Sequence, residues 1–332
     1  MMHMQSVSDG EVAIAMPLGR LSQWFNEALQ SALNQTVSTN IYLIANGLSE
    51  EENNALRVIS DQNPRVILHS FSERVGMIAN WNRALNLVRE PFLTMLHDDD
   101  LLEPWLIETL LEVKINCSGH GIYMTKERLI DAKGEFQNIE HLKRNGCFAL
   151  LDRHGIEAWA VSNKVCATGF MLDRVRAISL GGYKESLSYT ADWDLYFSLA
   201  LEFSAVVVDV HGARYRFGGG TGQASSAFLR SGSFISEYRR QQLTNLSKIG
   251  VDPVDFEKIS FLALDSFSRV VIRQFGESID KEGIAALKEL KINVTIARIC
   301  GRLKNLLRHP VSKVFLGKLV TRNAFFRRND IG

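Results

Sequence analysis

Phe92-Leu93-Thr94-Met95-Leu96-His97-Asp98-Asp99-Asp100-Leu101-Leu102-Glu103-Pro104 decides how this chain is read. Its apolar start, Phe92 to Leu96, has the length of a buried strand and runs into three consecutive carboxylates. The Pro104-Trp105 pair then opens a helical pattern over Leu106 to Val113. Three adjacent anions repel one another, so a strand end that carries them calls for a cation. Hard divalent ions such as Mg2+ or Mn2+ suit oxygen ligands and share their coordination with substrate phosphates. The competing reading is a solvated acidic loop capping the next helix, and the surrounding segments decide between the two.

Upstream, Val12 to Pro17 (VAIAMP) reads as a short buried strand that stops at a Gly19-Arg20 turn. Between Leu21 and Asn34, Trp24, Phe25, Ala28, Leu29, Ala32 and Leu33 recur at helical spacing. Asn40 to Ala45 is a second strand, followed by the turn Asn46-Gly47-Leu48-Ser49 and an acidic helix start at Glu50 to Glu52. Arg65 to Leu68 is a short third strand, and Asn80 to Leu85 lies on the helix that leads to Phe92. Alternating strands and helices predict an α/β fold, a parallel sheet with helices on both faces. Ligands bind such sheets beyond the carboxyl ends of the strands. The segments after Pro17, Ala45 and Leu96 are all carboxyl ends, so the acidic triplet falls at one shared cleft.

Composition bounds the answer without naming it. The 332 residues hold a sizeable core, and 46% hydrophobic with 23% charged residues are ordinary for a globular enzyme. A net charge of +1 disfavours a whole-chain nucleic-acid binder. Cys117, Cys147, Cys166 and Cys300 are far apart with no CxxC, which indicates neither a zinc site nor a disulfide framework. No apolar run has the length of a membrane span, and the N-terminus lacks the layout of a signal peptide. The expectation is a cytoplasmic, reduced protein.

VAIAMPLGR, ALQSALNQT, NWNRALNLV and FLTMLHDDDLLEP, in this order and spacing, resemble the N-terminal half of family 2 glycosyltransferases. The resemblance continues through Gly169-Phe170-Met171-Leu172, Gly181-Gly182-Tyr183 and Ala191-Asp192-Trp193-Asp194-Leu195-Tyr196, and covers about residues 10–225. It implies an inverting enzyme of the GT-A fold, with a mixed, mostly parallel sheet, that uses a nucleotide-diphospho-sugar donor and Mg2+ or Mn2+. Donor contacts are then expected from Pro17, Gly19, Arg20, Asn46, Asn80, Asn82, Arg83, His97 and Asp98. The metal ligand comes from the triplet. A literal DXD pattern selects Asp98 and Asp100, whereas alignment on the following Leu-Leu-x-Pro favours Asp99. By the same resemblance Asp192 is the catalytic base, and Asp194, two residues on along a helix, points elsewhere and is structural. Gly169, Trp193 and Asp194 fall in the acceptor region.

Three departures stand out. Ala45-Asn46-Gly47 lacks the acid that the family usually carries there, which weakens any default to uridine. His97 replaces the usual first Asp of the acidic motif. Gly218 stands where many relatives have a metal-binding His, just after Tyr215-Arg216.

In the second half, Gly121 to Met124 is expected to be a strand, Asp131 to Gly134 a turn between strands, and Gln137 to Gly155 a mobile loop near the acceptor. Val165 to Asp173 reads as a strand broken at Gly169, where substrate or neighbouring backbone comes close. A helix from Arg174 ends at Gly181-Gly182, and Ala205 to Val210 is a late strand. Gly218 to Gly222 lacks the Gly-Lys-Ser/Thr ending of a P-loop and reads as a lid over the diphosphate or a plain linker.

From Phe228 the pattern is helical: Tyr238 to Leu246, Asp255 to Phe275, Ile279 to Leu290. Between Arg298 and Arg328 lie nine Lys or Arg and no acid, interleaved with apolar residues. That pattern suits either peripheral attachment to an anionic membrane at the inner face of the cell membrane or a helix packed on the catalytic domain with a solvated basic face. The expected organisation is a catalytic domain over 1–227, with a nucleotide-sugar half at about 10–110 and an acceptor half at about 111–227. A helical region with the basic tail follows over 228–332. The acceptor is expected to be lipid-linked or a saccharide in bacterial cell-surface polysaccharide or glycolipid assembly, with no nucleic-acid partner. The rival readings are a nucleotidylyltransferase on a similar sheet and a non-catalytic nucleotide-sugar binder. An NAD-binding domain is disfavoured because no G-x-G-x-x-G follows the first strand.

Overall fold

The computed structural model describes residues 10–136, 148–163, 168–216 and 234–251. The elements are β1 (Val12–Leu18), α1 (Phe25–Leu33), β2 (Asn40–Asn46), α2 (Glu50–Gln62), β3 (Val66–Phe71) and α3 (Met77–Leu87). There follow β4 (Phe92–Met95), β5 (Leu101–Leu102), α4 (Leu106–Asn116), β6 (Ile122–Ile130), β7 (Phe148–Leu150), α5 (Arg153–Val161) and β8 (Phe170–Asp173). The described part ends with α6 (Arg174–Ser179), α7 (Ala191–Phe203), β9 (Ala205–Arg216) and α8 (Phe234–Lys248).

The strands form one mixed sheet in the order β3-β2-β1-β4-β8-β6-β9-β5, with β7 paired to β9. β3, β2, β1 and β4 are mutually parallel, as the strand-helix rhythm predicts. β8 runs antiparallel between β4 and β6, and β6 pairs in parallel with β9. The carboxyl ends of β1, β2, β4, β6 and β9 therefore share one edge of the sheet, and the acidic triplet sits on it.

Alternation along the strands explains the two layers of helix. In β1, Ala13 and Ala15 face one side with Tyr42 and Ile44 of β2, where α3, α5, α6, α7 and α8 pack. Val12, Ile14, Met16 and Leu18 face the other with Ile41, Leu43 and Ala45, where α1, α2 and α4 pack. Within α1 the buried residues are Phe25, Ala28, Leu29 and Ala32, at the spacing read from the sequence. Serine 49 and Glu52 close a capping box at the start of α2, and Glu52 also accepts the N–H of Leu21 at 3.1 Å, pinning the segment after β1.

The loop expected over Gln137 to Gly155 is corrected over its last eight residues. Phe148–Leu150 is a strand paired with β9, and Asp152 caps α5 by accepting the Gly155 N–H at 2.8 Å. Its short strand has too few residues for a period-2 signal to register. The Asp131–Gly134 turn is present, with a single bridge between Ile130 and Phe136 on its far side. Residues 137–147, the Gly218–Gly222 run, the helices expected beyond residue 251 and the basic tail lie outside the described residues. Among the described residues no helix is long and apolar enough to cross a membrane.

Candidate active site

The acidic turn is held from two directions. Ser22, after β1, donates its N–H to Asp98 Oδ2 at 3.0 Å and its hydroxyl to the Asp98 carbonyl at 2.7 Å. From β9, the Arg216 N–H donates to Asp100 Oδ1 at 2.8 Å, and Arg216 Nε donates to the Asp99 carbonyl at 2.8 Å. Arg216 is itself buried and reaches Glu27 Oε2 at 2.9 Å and the Asp131 carbonyl at 3.0 Å. Asp100 is fully buried, while Asp98 and Asp99 keep part of their surface.

Burial, then the neighbouring charge of Asp99, raises the Asp98 carboxyl, against hydrogen bonds from Ser22 and the charge of Arg20. The same two causes push Asp100 well above the usual carboxylate range. His97 is lowered by burial despite the charges of Asp99 and Asp98, so its imidazole is neutral near pH 7. Its ring stacks on Trp81 at 5.1 Å between centroids.

Around the turn stand the other carboxyl-end residues. Asn46, at the end of β2, accepts the Val75 N–H at 2.8 Å and Arg83 Nη1 at 3.1 Å, and donates to the Val75 carbonyl at 2.9 Å. That ring of bonds fixes the loop carrying Arg74. Gly47 has φ +61, and a Cβ there would stand 2.5 Å from Arg74 Cβ, so only glycine lets the loop approach. The Arg74 guanidinium lies beside Gly19, and Arg20 and Arg74 are both exposed. Pro17 and Gly19 line the same rim.

Asn80 and Asn82 sit elsewhere in the architecture. Asn80 is buried and donates to the Ile44 carbonyl at 3.3 Å. Asn82 clasps the Tyr183 backbone, accepting its N–H at 2.8 Å and donating to its carbonyl at 2.8 Å. Both are engaged in holding α3 to its neighbours. Gly182, at φ +70, would bring a Cβ to 2.7 Å from Asn82 Oδ1, so this clasp needs glycine.

The second acidic position opens α7. Asp192 Oδ1 accepts the Trp193 N–H at 2.7 Å, and Asn163 Nδ2 lies 3.4 Å from Oδ2. Burial is the main reason its carboxyl is raised to about 7. Part of Asp192 still meets solvent. Asp194 is buried, paired with Lys184 at 2.8 Å and bonded by Gln241 at 3.0 Å. Trp193, grouped with the acceptor region by the sequence, is instead buried in the core. Its indole donates to the Trp159 carbonyl at 2.9 Å, because one helical step turns it away from the face of Asp192. Gly169 packs against Ala213 and Thr125, so neighbouring strands are what come close there.

A chain of aromatic rings joins the two acidic positions. Trp81 meets Tyr183 edge-on at 5.3 Å, and the Tyr183 hydroxyl lies 3.2 Å from that of Tyr196. Burial and then, among other causes, the charge of Asp192 raise both phenols. His97, Trp81 and Tyr183 thus form one run of ring contacts, and the charge of Asp192 acts on its far end at Tyr183.

Metal-binding capacity is limited. Among the described residues no three or more His, Cys, Asp or Glu side chains gather as a metal group. Two crowded carboxylates, Asp98 and Asp99, fit an ion that takes one or two protein ligands and completes its shell from a substrate's phosphates. Asp100, enclosed and bonded to Arg216, does not present that geometry.

The sequence pattern alone does not single out Ser22, Arg74 or Arg216. Arg74 was findable, since it follows the carboxyl end of the third strand. The others act through contacts between distant segments, which leave no local pattern.

Residues 16–119 match the model of glycosyl transferase family 2. That match covers about a third of the chain, and the fold over the described residues is similar to that of solved glycosyltransferases. A chondroitin synthase of Escherichia coli is 29% identical over 195 residues, covering 57% of this chain and 26% of that protein. This chain therefore spans about a quarter of the length of that relative. The solved structure of S. aureus TarS 1-349 in complex with UDP-GlcNAc superposes with a TM-score of 0.60 at 12% identity, over 88% of this chain and 89% of that one. The mannosyltransferase PcManGT from Pyrobaculum calidifontis, in complex with GDP-Man and Mn2+, gives 0.53 at 14% identity, over 90% and 87%.

Proposed function

We propose that this chain transfers a sugar from a nucleotide-diphospho-sugar to an acceptor hydroxyl with inversion at the anomeric carbon. What supports the reading is the run of contacts from His97, at the acidic turn, through Trp81 to Tyr183, on which the charge of Asp192 acts. Donor site and base must lie near each other for a single displacement, and the proximity of the two acidic positions supports that.

Asp99, with Asp98 beside it, would hold Mg2+ or Mn2+, and the ion supplies Lewis-acid stabilisation of the departing diphosphate. Ser22 and Arg216 set the turn so that its carboxylates stay crowded. Arg20 and Arg74 border the same rim and draw an anionic donor toward it. Asn46 and Arg83 brace the loop of Arg74. His97, neutral and stacked on Trp81, contacts the donor ribose or the ion's outer ligands.

Asp192 takes the acceptor proton during attack. A base works best with a pKa near the operating pH, and its carboxyl stands at about 7. The Trp193 N–H and Asn163 hold it in place.

The acceptor is a saccharide or lipid-linked saccharide of a bacterial surface polysaccharide, a reading supported by the chondroitin synthase resemblance. The tail over 298–328 would keep the enzyme at an anionic cytoplasmic leaflet, with the catalytic domain over 1–227 ahead of it. The test is an assay of UDP-, GDP- and dTDP-sugars for nucleoside diphosphate release, with Mn2+ and with EDTA. Mn2+-dependent release of nucleoside diphosphate supports transfer. Release of pyrophosphate would favour a nucleotidylyltransferase, and tight binding without turnover across an acceptor panel would favour a binding protein.

A further inference from the structure

We propose that Glu237 is a positioning residue for Asp192, fixing the turn that presents the base, so that α8 forms part of the catalytic unit. The inference rests on the reading of Asp192 as base given above.

Helix α7 starts without a side-chain cap from its N-cap residue, Thr190. The chain entering such an end needs acceptors for its backbone N–H groups. Glu237, on α8, supplies them to the turn before α7 from across the sequence. Its Oε1 accepts the N–H of Ser188 at 3.0 Å, Tyr189 at 2.7 Å and Thr190 at 2.7 Å, together with the Thr190 hydroxyl at 3.0 Å. Oε2 also accepts the Ser188 N–H at 3.0 Å. One carboxylate thus organises three successive residues, and Asp192 follows two positions later. An anion at that end also suits the helix dipole.

The rest of α8 grips the same turn. Tyr238 packs its ring on Trp193 at 4.7 Å, and its hydroxyl accepts the Asn163 N–H at 3.3 Å. Asn163 is the residue that reaches Asp192 Oδ2. On the stripe shared with Glu237, Gln241 donates to Asp194 Oδ1 at 3.0 Å, and Lys248 lies 3.6 Å from the same oxygen. α8 therefore holds the base's helix on the residues before and after Asp192.

The groups that face Asp192 are Tyr183 and Tyr196, Asn163 after α5, and Tyr238 and Glu237 on α8. Among them Glu237 is the other carboxylate, and its charge raises Asp192. A purely structural Glu237 would leave the ionisation of Asp192 untouched.

The experiment labels aspartate carboxyls with 13C in the full chain, assigning Asp192 by the signal lost in Asp192→Asn. Glu237→Gln keeps an acceptor oxygen where Oε1 stands and removes the charge. It should move the Asp192 titration to lower pH while the thermal midpoint stays within a few degrees. Glu237→Ala should also speed amide exchange over 188–194 by about tenfold or more, with the amides of β1 unchanged. An unshifted Asp192 titration in both variants, with any added exchange spread evenly over the fold, would overturn the proposal. Normal turnover by Asp192→Asn would sink the base reading alone, because titration and exchange are measured without substrate.

Discussion

The buried guanidinium of Arg216 donates to the backbone carbonyl of Asp99 at 2.8 Å, joining the end of β9 to the acidic turn after β4. The two residues lie 117 positions apart. Arg216 also reaches α1 through Glu27 and the 131–132 turn through two carbonyls. One cation thereby fixes the backbone on which the crowded carboxylates stand.

Replacing Arg216 by Ala should destabilise the fold by about 3 kcal/mol, since several buried acceptors lose their donor at once. Urea denaturation measures this. Arg216→Lys keeps the charge but not the fork, and should recover less than half of the loss. Glu27 is more than half exposed, so its ion pair contributes little and Glu27→Gln should be nearly neutral.

The triplet should divide by role. Asp99→Asn should abolish the Mn2+ enhancement of nucleoside diphosphate binding with the melting temperature nearly unchanged. Asp100→Asn should keep the Arg216 N–H satisfied and remove a buried group whose ionisation is opposed, leaving stability equal or higher. Calorimetry and thermal melts of the two variants make the comparison. Equal loss of metal response in both would contradict the division.

Arg74 lies exposed beside Gly19, and Arg74→Ala should weaken donor binding about tenfold without a change in stability. The effect should shrink as salt rises, because exposed charges are screened. Gly47→Ala should act on the same loop, through a Cβ only 2.5 Å from that of Arg74 at a φ of +61. It should cost about 1–3 kcal/mol and lower donor affinity as well.

Asp192 links activity to stability through pH. Its carboxyl is raised from an ordinary 3.8 to about 7 in the folded state, so folding favours the protonated form. Its contribution to stability is present below the unfolded value and is lost as pH rises toward and through about 7. Asp192→Asn removes that loss. The variant should gain melting temperature at pH 8 and gain less at pH 5. Turnover should fall by about 10²–10⁴-fold, and the acid limb of the wild-type kcat/KM profile should have its midpoint near the same pKa. A variant equally stabilised at both pH values would contradict the assignment of the raised carboxyl.

Much of this fold was legible locally. The apolar runs at Val12, Asn40 and Phe92 are buried on both faces, so they read as parallel strands without any knowledge of their partners. The glycines at 181 and 182 marked the end of α6 by the positive φ they supply. The acidic triplet was visible, but not the division of labour within it. That depends on Ser22 and Arg216, whose contacts span 76 and 117 positions. The family resemblance implies donor contacts at Asn80 and Asn82, whereas burial under β2 and the clasp on Tyr183 occupy them. The resemblance places Trp193 in the acceptor region, whereas on the helix it faces away from Asp192 into the core. Glu237 carried no sequence signal, since an acid in the first turn of a helix is ordinary.

The most direct test of the account is a crystal structure with Mn2+ and UDP or GDP, read by anomalous scattering. The account predicts an anomalous peak at coordination distance, about 2–2.3 Å, from the Asp99 carboxylate, with the diphosphate on the rim bounded by Gly19, Arg20 and Arg74. The sugar of a bound donor should lie on the side of the metal that faces Asp192. A metal peak remote from Asp98 and Asp99, or a nucleotide bound away from the carboxyl ends of β1 and β2, would contradict it.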